Sequence, residues 1–343
     1  GNVWATAGAD KQLRFFGADG KQLASYGTGT ADITGFALRA DGNSAFTTSA
    51  DGVLRFWQTP AQPARTFPAL KDAVTAFHAS ADGNTLLYAS DKAVTLGTVS
   101  NAAAAGTFAG AKENVECVAL SPDGSTVAAG SADGSVLVWD RQGKARGEVP
   151  AHVGGVAGVT FHPSAPVLFT AGADGKVKGW NLPLDAKPAK DKGGKEPGRT
   201  KYDFAAHTGK ATALLLNPAT GQLVTAGADK LIRVWDVAKP EKPVREFGPL
   251  AAPASTLALS RDNLVLAAGV GKDVVLWTLA DGKEVAKLPQ AGDVLALSFS
   301  ADKTRLLIGR ADDVALLVEV ATGTVIQSFA HAGAVRGVVA HPS

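Results

Sequence analysis

A short phrase built on a turn aspartate recurs eight times along the chain. It reads TAGADKQLRFFG at 6–17, TSADGVLRFWQ at 48–58, YASDKAVTLGT at 88–98, GSADGSVLVWD at 130–140, TAGADGKVKGWN at 170–181, TAGADKLIRVWD at 225–236, AAGVGKDVVLWT at 267–278 and IGRADDVALLVE at 308–319. Gly271 replaces the Asp in the seventh copy and Val318 the Trp in the eighth. The turn position falls at Asp10, Asp51, Asp91, Asp133, Asp174, Asp229, Gly271 and Asp312, with gaps of 41, 40, 42, 41, 55, 42 and 41 residues. A period of this length marks a repeat architecture, in which each unit is one supersecondary element and neighbouring units share a core.

Each unit is locally β. Apolar and β-branched runs alternate with small polar turns such as SPDG, RADG and SADG, the pattern of short antiparallel strands on tight connections. Asp-Gly supplies the positive φ that a tight hairpin needs. No stretch shows amphipathic helical periodicity. About 41 residues hold roughly four strands, the content of one propeller blade. The expected fold class is all-β: a closed eight-bladed β-propeller of four-stranded antiparallel blades.

The two ends are each incomplete as units. The last residues, VVAHPS (338–343), stop after one strand and half a turn, and the first, GNVWATAGAD, begin with the next strand. Read through the junction, VVAHPS-GNVWATAGAD aligns without a gap on VTFHPSAPVLFTAGAD at 159–174, and the spacing from Asp312 across the junction to Asp10 is again 41. The sequence is periodic on a circle. Residues 331–343 are therefore expected to complete the blade begun by 1–28, closing a ring of eight and protecting sheet edges that would otherwise template aggregation. One propeller over 1–343 is expected, with an insertion loop at about 181–203 accounting for the long gap.

Composition narrows the functional classes. With 34 Lys and Arg against 32 Asp and Glu the net charge is +2, so no chain-wide attraction to nucleic acid or to a membrane surface is built in. No run of 18 apolar residues exists, and the first residues lack the charged and apolar regions of a signal peptide; a soluble chain is expected. It opens on glycine and contains no methionine, which suggests a segment of a longer protein and leaves its flanks and compartment open. A single cysteine, Cys117, excludes an internal disulfide and any multi-cysteine metal site, and reads as a small buried residue. No Gly-x-Ser-x-Gly elbow, phosphate loop, HExxH or CxxCH motif is present.

The endings Trp139-Asp140 and Trp235-Asp236, with Trp180-Asn181 close to them, resemble the WD40-repeat family, and the resemblance runs the length of the chain. Members carry a His in the loop before the innermost strand, bonded to the turn Asp and supported by a Ser or Thr and the Trp. Here His152, His207 and His331 each stand 22 residues before a turn Asp, the third counted across the junction. The resemblance implies the sets His152, Thr170, Asp174, Trp180 and His207, Thr225, Asp229, Trp235. It implies a third, His331 with Thr6 and Asp10, in which Phe16 stands in the Trp place and one terminus is tied to the other. These sets are expected to be structural, because they recur once per blade, whereas catalysis or metal binding needs groups that converge. The other five blades lack the His and are expected to hold mainly by packing and strand pairing. His78, His162 and His341, at the ends of innermost strands, are not expected to be ligands, and no catalytic residue, metal or cofactor is expected.

The insertion NLPLDAKPAKDKGGKEPGRTK carries Lys187, Lys190, Lys192, Lys195, Arg199 and Lys201 against Asp185, Asp191 and Glu196. By blade order it joins a third strand to a fourth, away from the Asp-Gly turns. Low complexity favours a solvated loop; its functional reading is a docking loop for an acidic partner. WD40 propellers are in general rigid platforms for proteins or peptides, and the resemblance implies that role: a monomeric, non-catalytic interaction scaffold, not an enzyme, binding through loops on the Asp-Gly-turn face or at the central channel mouth. The alternative is a small-molecule-binding or enzymatic propeller with a site at the channel, which needs polar groups converging from several inner strands where the sequence shows apolar runs such as VECVAL, VAGVTF and VLALSF. Nucleic-acid binding needs a continuous basic surface with aromatic platforms, and only the insertion is basic; neither nucleic acid nor membrane is expected as a partner.

Overall fold

The computed structural model describes residues 3–17, 21–38, 44–58, 65–67, 70, 72–80, 84–99, 103–185 and 200–340. They form eight four-stranded antiparallel sheets, the blades of an eight-bladed β-propeller. Within a blade, chain order and sheet order coincide. Blade 4, for example, runs from the innermost strand Val115–Leu120 through Thr126–Ser131 and Ser135–Asp140 to the outermost Ala145–Pro150. Blade 1 is the exception. Trp4–Gly8, Gln12–Phe16 and Gln22–Gly27 are followed inward by Val335–Ala340 from the other end of the chain, with Trp4 opposite Ala340 and Ala7 opposite Gly337. The closure read from the circular period is present.

Burial follows strand position. Second strands such as Ser44–Ser49, Thr85–Ser90 and Val167–Gly172 are buried along their whole length, as expected of strands covered on both faces, which read as unbroken small and apolar runs. Outermost strands alternate, exposed and half-buried residues taking turns in Gln22–Gly27 and in Thr200–Ala205 of blade 5, the period of two of a half-covered sheet. The hairpin between second and third strands makes its own demand. Gly134 has φ of +86°, and a Cβ there would meet the His152 carbonyl oxygen at 2.0 Å, so both conformation and space require glycine.

By contact the chain divides into two compact units, one of Gly1–Leu86, Gly97–Ala104 and Leu250–Ser343, the other of Leu87–Leu96 and Ala105–Pro249. In the first, Trp57 joins Leu13, Phe15 and Ile33 in a core shared by blades 1 and 2, and Trp4, Phe16, Leu307 and Phe329 fill the joint of blades 8 and 1. In the second, Trp180 packs with Val138, Val156 and Leu168 of blades 4 and 5, and Trp235 with Phe169, Val177 and Leu223 of blades 5 and 6. The Trp that ends a third strand thus reaches into the joint with the preceding blade. Truncating such a side chain to Ala costs about 3–5 kcal/mol.

Innermost strands carry a recurring irregularity. Val335 and Gly337 pair with their neighbour strand while Arg336 is skipped, and the same skip falls at Thr34, Glu116, Ala157, Thr212, Ser255 and Leu295. Such a bulge bends the strand and re-aims the extra side chain.

Candidate functional site

Three histidine sets each link a hydroxyl, an imidazole and a carboxylate. In blade 5, His152 Nδ1 lies 2.9 Å from Asp174 Oδ1 and Nε2 2.8 Å from Thr170 Oγ1, while Trp180 Nε1 donates to the same hydroxyl at 3.1 Å. Blade 6 repeats the arrangement with His207 2.9 Å from Asp229 and 2.8 Å from Thr225, and Trp235 2.9 Å from Thr225. Counting protons assigns the directions. The carboxylate only accepts, so Nδ1 carries a proton toward it, and a neutral ring then leaves Nε2 to accept from the Thr hydroxyl, whose oxygen accepts from the indole N–H. The same arrangement holds for His207, Asp229, Thr225 and Trp235. Burial pulls both histidines below their ordinary pKa despite the carboxylate beside each. Arg233 acts in the same sense on His207, its Nη1 2.9 Å from Nδ1 and 2.7 Å from Asp229 Oδ2. Burial alone would raise the carboxyl pKa of Asp174 and Asp229; the donors around them hold both below the usual value.

Blade 1 departs from this pattern. His331 is 2.9 Å from Thr6 and 3.2 Å from Asp10, and Arg14 Nη1 reaches Asp10 Oδ2 at 2.6 Å and His331 Nδ1 at 2.5 Å. Phe16 replaces the indole donor and packs on Phe329, ring centres 4.1 Å apart. The order hydroxyl, imidazole, carboxylate is that of a nucleophilic triad. Thr6, Thr170 and Thr225 are all 0% exposed, however, so no substrate carbon can approach the oxygens.

Each of the two indole-supported histidines lies over a glycine. A Cβ on Gly172 would stand 2.2 Å from His152 Cγ, and one on Gly227 2.3 Å from His207 Cγ. In blade 1 the equivalent residue is Gly8. In blades 2, 4, 7 and 8, which lack the histidine, the position opposite the first residue of the inner strand holds a side chain: Ser49, Ser131, Val270 and Arg310. Ser49 and Arg310 clamp the turn. Ser49 donates to Asp51 and accepts from Arg55 at 3.1 Å, and Arg310 grips Asp312 through Nε at 2.7 Å and Nη2 at 2.6 Å. Blades 2 and 8 therefore rely on more than packing and strand pairing.

A recess shaped to receive another molecule lies between blades 4 and 5, at the strand ends opposite the hairpins that carry Asp133 and Asp174. A recess of about 640 Å³ is walled by the turns Ser121–Thr126 and His162–Pro166, by Asp140, Gln142 and Arg146, and by Leu182 and Pro183 where the insertion begins. Its walls are fixed by short-range bonds. Asp123 accepts from Ser121 Oγ at 2.5 Å and from Ser125 N at 3.0 Å, and these donors lower its pKa. His162 Nδ1 accepts from the backbone of Ser164 and Ala165 at 3.2 and 3.0 Å, which leaves the proton on Nε2 as a donor. Leu184 is fully buried in the core shared by blades 4 and 5, and Arg146 reaches Asp185 at 3.2 Å and Asp140 at 3.4 Å. The root of the insertion is thereby anchored to the outermost strand of blade 4.

The family model for the "WD domain, G-beta repeat" matches residues 20–58, 104–140, 143–181 and 198–236. Each stretch begins at or just before the outermost strand of one blade and ends just after the Trp of the next. The chain is a WD40-repeat β-propeller. Among curated relatives it is similar to "Cross-pathway control WD-repeat protein 2" of Flammulina velutipes, 31% identical over 31% of this chain and 35% of the relative. "WD repeat-containing protein 82" of Drosophila melanogaster is 28% identical over 37% and 41%. "Small ribosomal subunit protein RACK1" of Caenorhabditis elegans is 30% identical over 28% and 30%. The matches thus span about a third of these relatives' length, from 30% to 41%. A solved structure, the computationally designed Ika8 protein, superposes with a TM-score of 0.75 over 89% of both chains at 21% identity, a likeness of fold.

On this WD40 frame the predicted docking residues are divided. Lys187, Lys190, Lys192, Lys195 and Arg199 lie outside the described residues, as does His341. Lys201 is exposed, its ammonium 5.3 Å from the Tyr202 ring centre. Burial lowers the pKa of His78. Among the described residues no three His, Cys, Asp or Glu side chains group as metal ligands. Sequence reading passed over Arg14, Arg55 and Arg233, although each stands four residues after a turn Asp.

Proposed function

We propose that this WD40 propeller is a non-catalytic scaffold that binds a protein or peptide segment, with the recess between blades 4 and 5 as the docking place. The recess itself carries the reading. Its volume of about 640 Å³ falls within the roughly 300–1,000 Å³ of ordinary binding pockets. Phe161, Pro163, Pro166, Leu182 and Pro183 supply apolar surface, while Asp123, Asp140 and His162 supply a few directional polar groups. The fit is for an apolar side chain on an extended backbone. Because the turns are already held by hydrogen bonds, little ordering entropy is lost on docking. Lys187, Lys190, Lys192, Lys195, Arg199 and Lys201 of the adjoining insertion favour a segment with acidic flanks.

A pull-down from native lysate tests this, comparing the chain with Gln142→Trp, which fills the recess from an exposed turn, and with a version lacking residues 186–199. A near-stoichiometric protein partner, lost on Gln142→Trp and weakened by the deletion, is expected. Retention by both variants would move docking away from the recess, and recovery of no protein would remove the scaffold reading.

A further inference from the structure

A second hollow, of about 360 Å³, lies wholly in the unit that holds both chain ends. Its lining is polar. Thr34, Thr48, Thr75 and Thr256 contribute hydroxyls and Arg336 a guanidinium, while no carboxylate lines it. Arg14, Arg55, Arg233 and Arg310 each engage an aspartate. Arg336 is exposed and makes no hydrogen bond or ion pair with any described residue, so its fork of five donors is unspent.

Backbone geometry directs these groups. Arg336 and Thr34 are both the extra residues of inner-strand bulges, positions whose side chains are re-aimed. Two glycines bring the inner strands of blades 1, 2 and 3 close: a Cβ on Gly337 would stand 2.8 Å from Phe36 Cβ, and one on Gly35 would stand 2.6 Å from Thr48 Oγ1 and 3.7 Å from Phe77 Cβ. Thr34 Oγ1 and Thr48 Oγ1 are 3.1 Å apart, so one of their two protons is spent between them and one remains to donate. Asp32 and Asp293, each just before its inner strand, are not among the lining residues.

We infer that this hollow binds a small oxyanion of the phosphate class, either free phosphate or a phosphate monoester. A phosphate group carries a charge of about −1.5 to −2 and three acceptor oxygens, which suits one guanidinium flanked by hydroxyls from several strands. A planar carboxylate would be satisfied by the guanidinium alone and leave the hydroxyls unused. The volume, near the lower end of the ligand-pocket range, suits a small molecule. The inference is independent of the recess between blades 4 and 5.

Isothermal titration and amide-shift titration of the full chain with inorganic phosphate, phenyl phosphate and acetate provide the test. One saturable phosphate site is expected, with shifts at Thr34, Thr75 and Arg336, and with acetate at least tenfold weaker. Arg336→Gln is expected to weaken phosphate at least tenfold. Arg336→Lys should recover part of the loss, because the charge returns without the fork. Tighter phosphate than phenyl phosphate would identify the free ion as the ligand, and the reverse order a monoester. Non-saturating titrations, equal binding by Arg336→Gln with native circular dichroism, or acetate matching phosphate would each overturn the inference.

Discussion

A methyl group added at Gly227 is expected to unseat His207. Gly227 does not occupy the positive-φ region, so alanine meets no backbone strain and only space is at issue. The new Cβ would stand 2.3 Å from His207 Cγ, 2.4 Å from Nδ1 and 2.7 Å from Cβ, where carbon contacts settle at about 3.5–4.0 Å. The ring must retreat, and in doing so it breaks its bonds to Asp229 and Thr225. Overpacking costs about 1–3 kcal/mol and stranding the buried polar groups about 1–3 kcal/mol more, so Gly227→Ala should cost about 4 kcal/mol. His207→Ala removes the ring and leaves Thr225 without its acceptor, at about 2 kcal/mol. With no ring to strike, the double variant should cost about 2 kcal/mol, not the additive sum. Urea denaturation of the four proteins with matched m-values should show this non-additivity; additivity within about 0.5 kcal/mol would refute the claim that the glycine is there for the ring.

The histidines also set an acid limit. His152, His207 and His331 have folded pKa values below the ordinary 6.5 because they are buried. The unfolded chain therefore takes up protons first. Their contribution is full above about pH 6.5 and is lost as pH falls through 6.5 toward the folded values; the melting temperature should drop between pH 7.5 and 5, and a flat profile would contradict neutral burial. Arg310→Ala should cost about 2 kcal/mol, since it removes two charge-assisted bonds to Asp312. Lys303→Ala, whose pair with Asp262 is open to solvent, should cost under about 1 kcal/mol, and denaturation midpoints distinguish the two. Burial pushes the Cys117 thiol up to about 12, and it donates to the Val156 carbonyl at 3.4 Å. Cys117 is half-buried, so a thiol reagent at pH 8 should reach it but react far more slowly than with an ordinary cysteine, because little thiolate is present.

What was readable in the sequence was what chemistry repeats locally. The hairpin demands the same few residues in each unit, so the period, the blade count and the junction of the ends could be seen without coordinates. The spacing that singled out His152, His207 and His331 selects side chains that stand within hydrogen-bond distance of Asp174, Asp229 and Asp10. Features that depend on pairing were hidden. Which residue of Val335-Arg336-Gly337 is skipped depends on Ala7 and Gly8 at the other end of the chain, so the bulge that re-aims Arg336 could not be read from its own strand. The recess needed two blades side by side, and Leu184 sits in a Pro- and Lys-rich run where nothing local marks it as core. The exchange of histidine over glycine for serine or arginine at the turn was equally hidden, because the substituted position and the partner lie on different strands.

Amide hydrogen exchange of Trp4–Gly8 tests ring closure most directly. With Val335–Ala340 bonded along it, this strand should exchange as slowly as the interior Leu223–Gly227 of blade 6, at the rate of global unfolding. Exchange at the rate of a fraying terminus, while blade 6 stays protected, would show that the two ends do not share a blade.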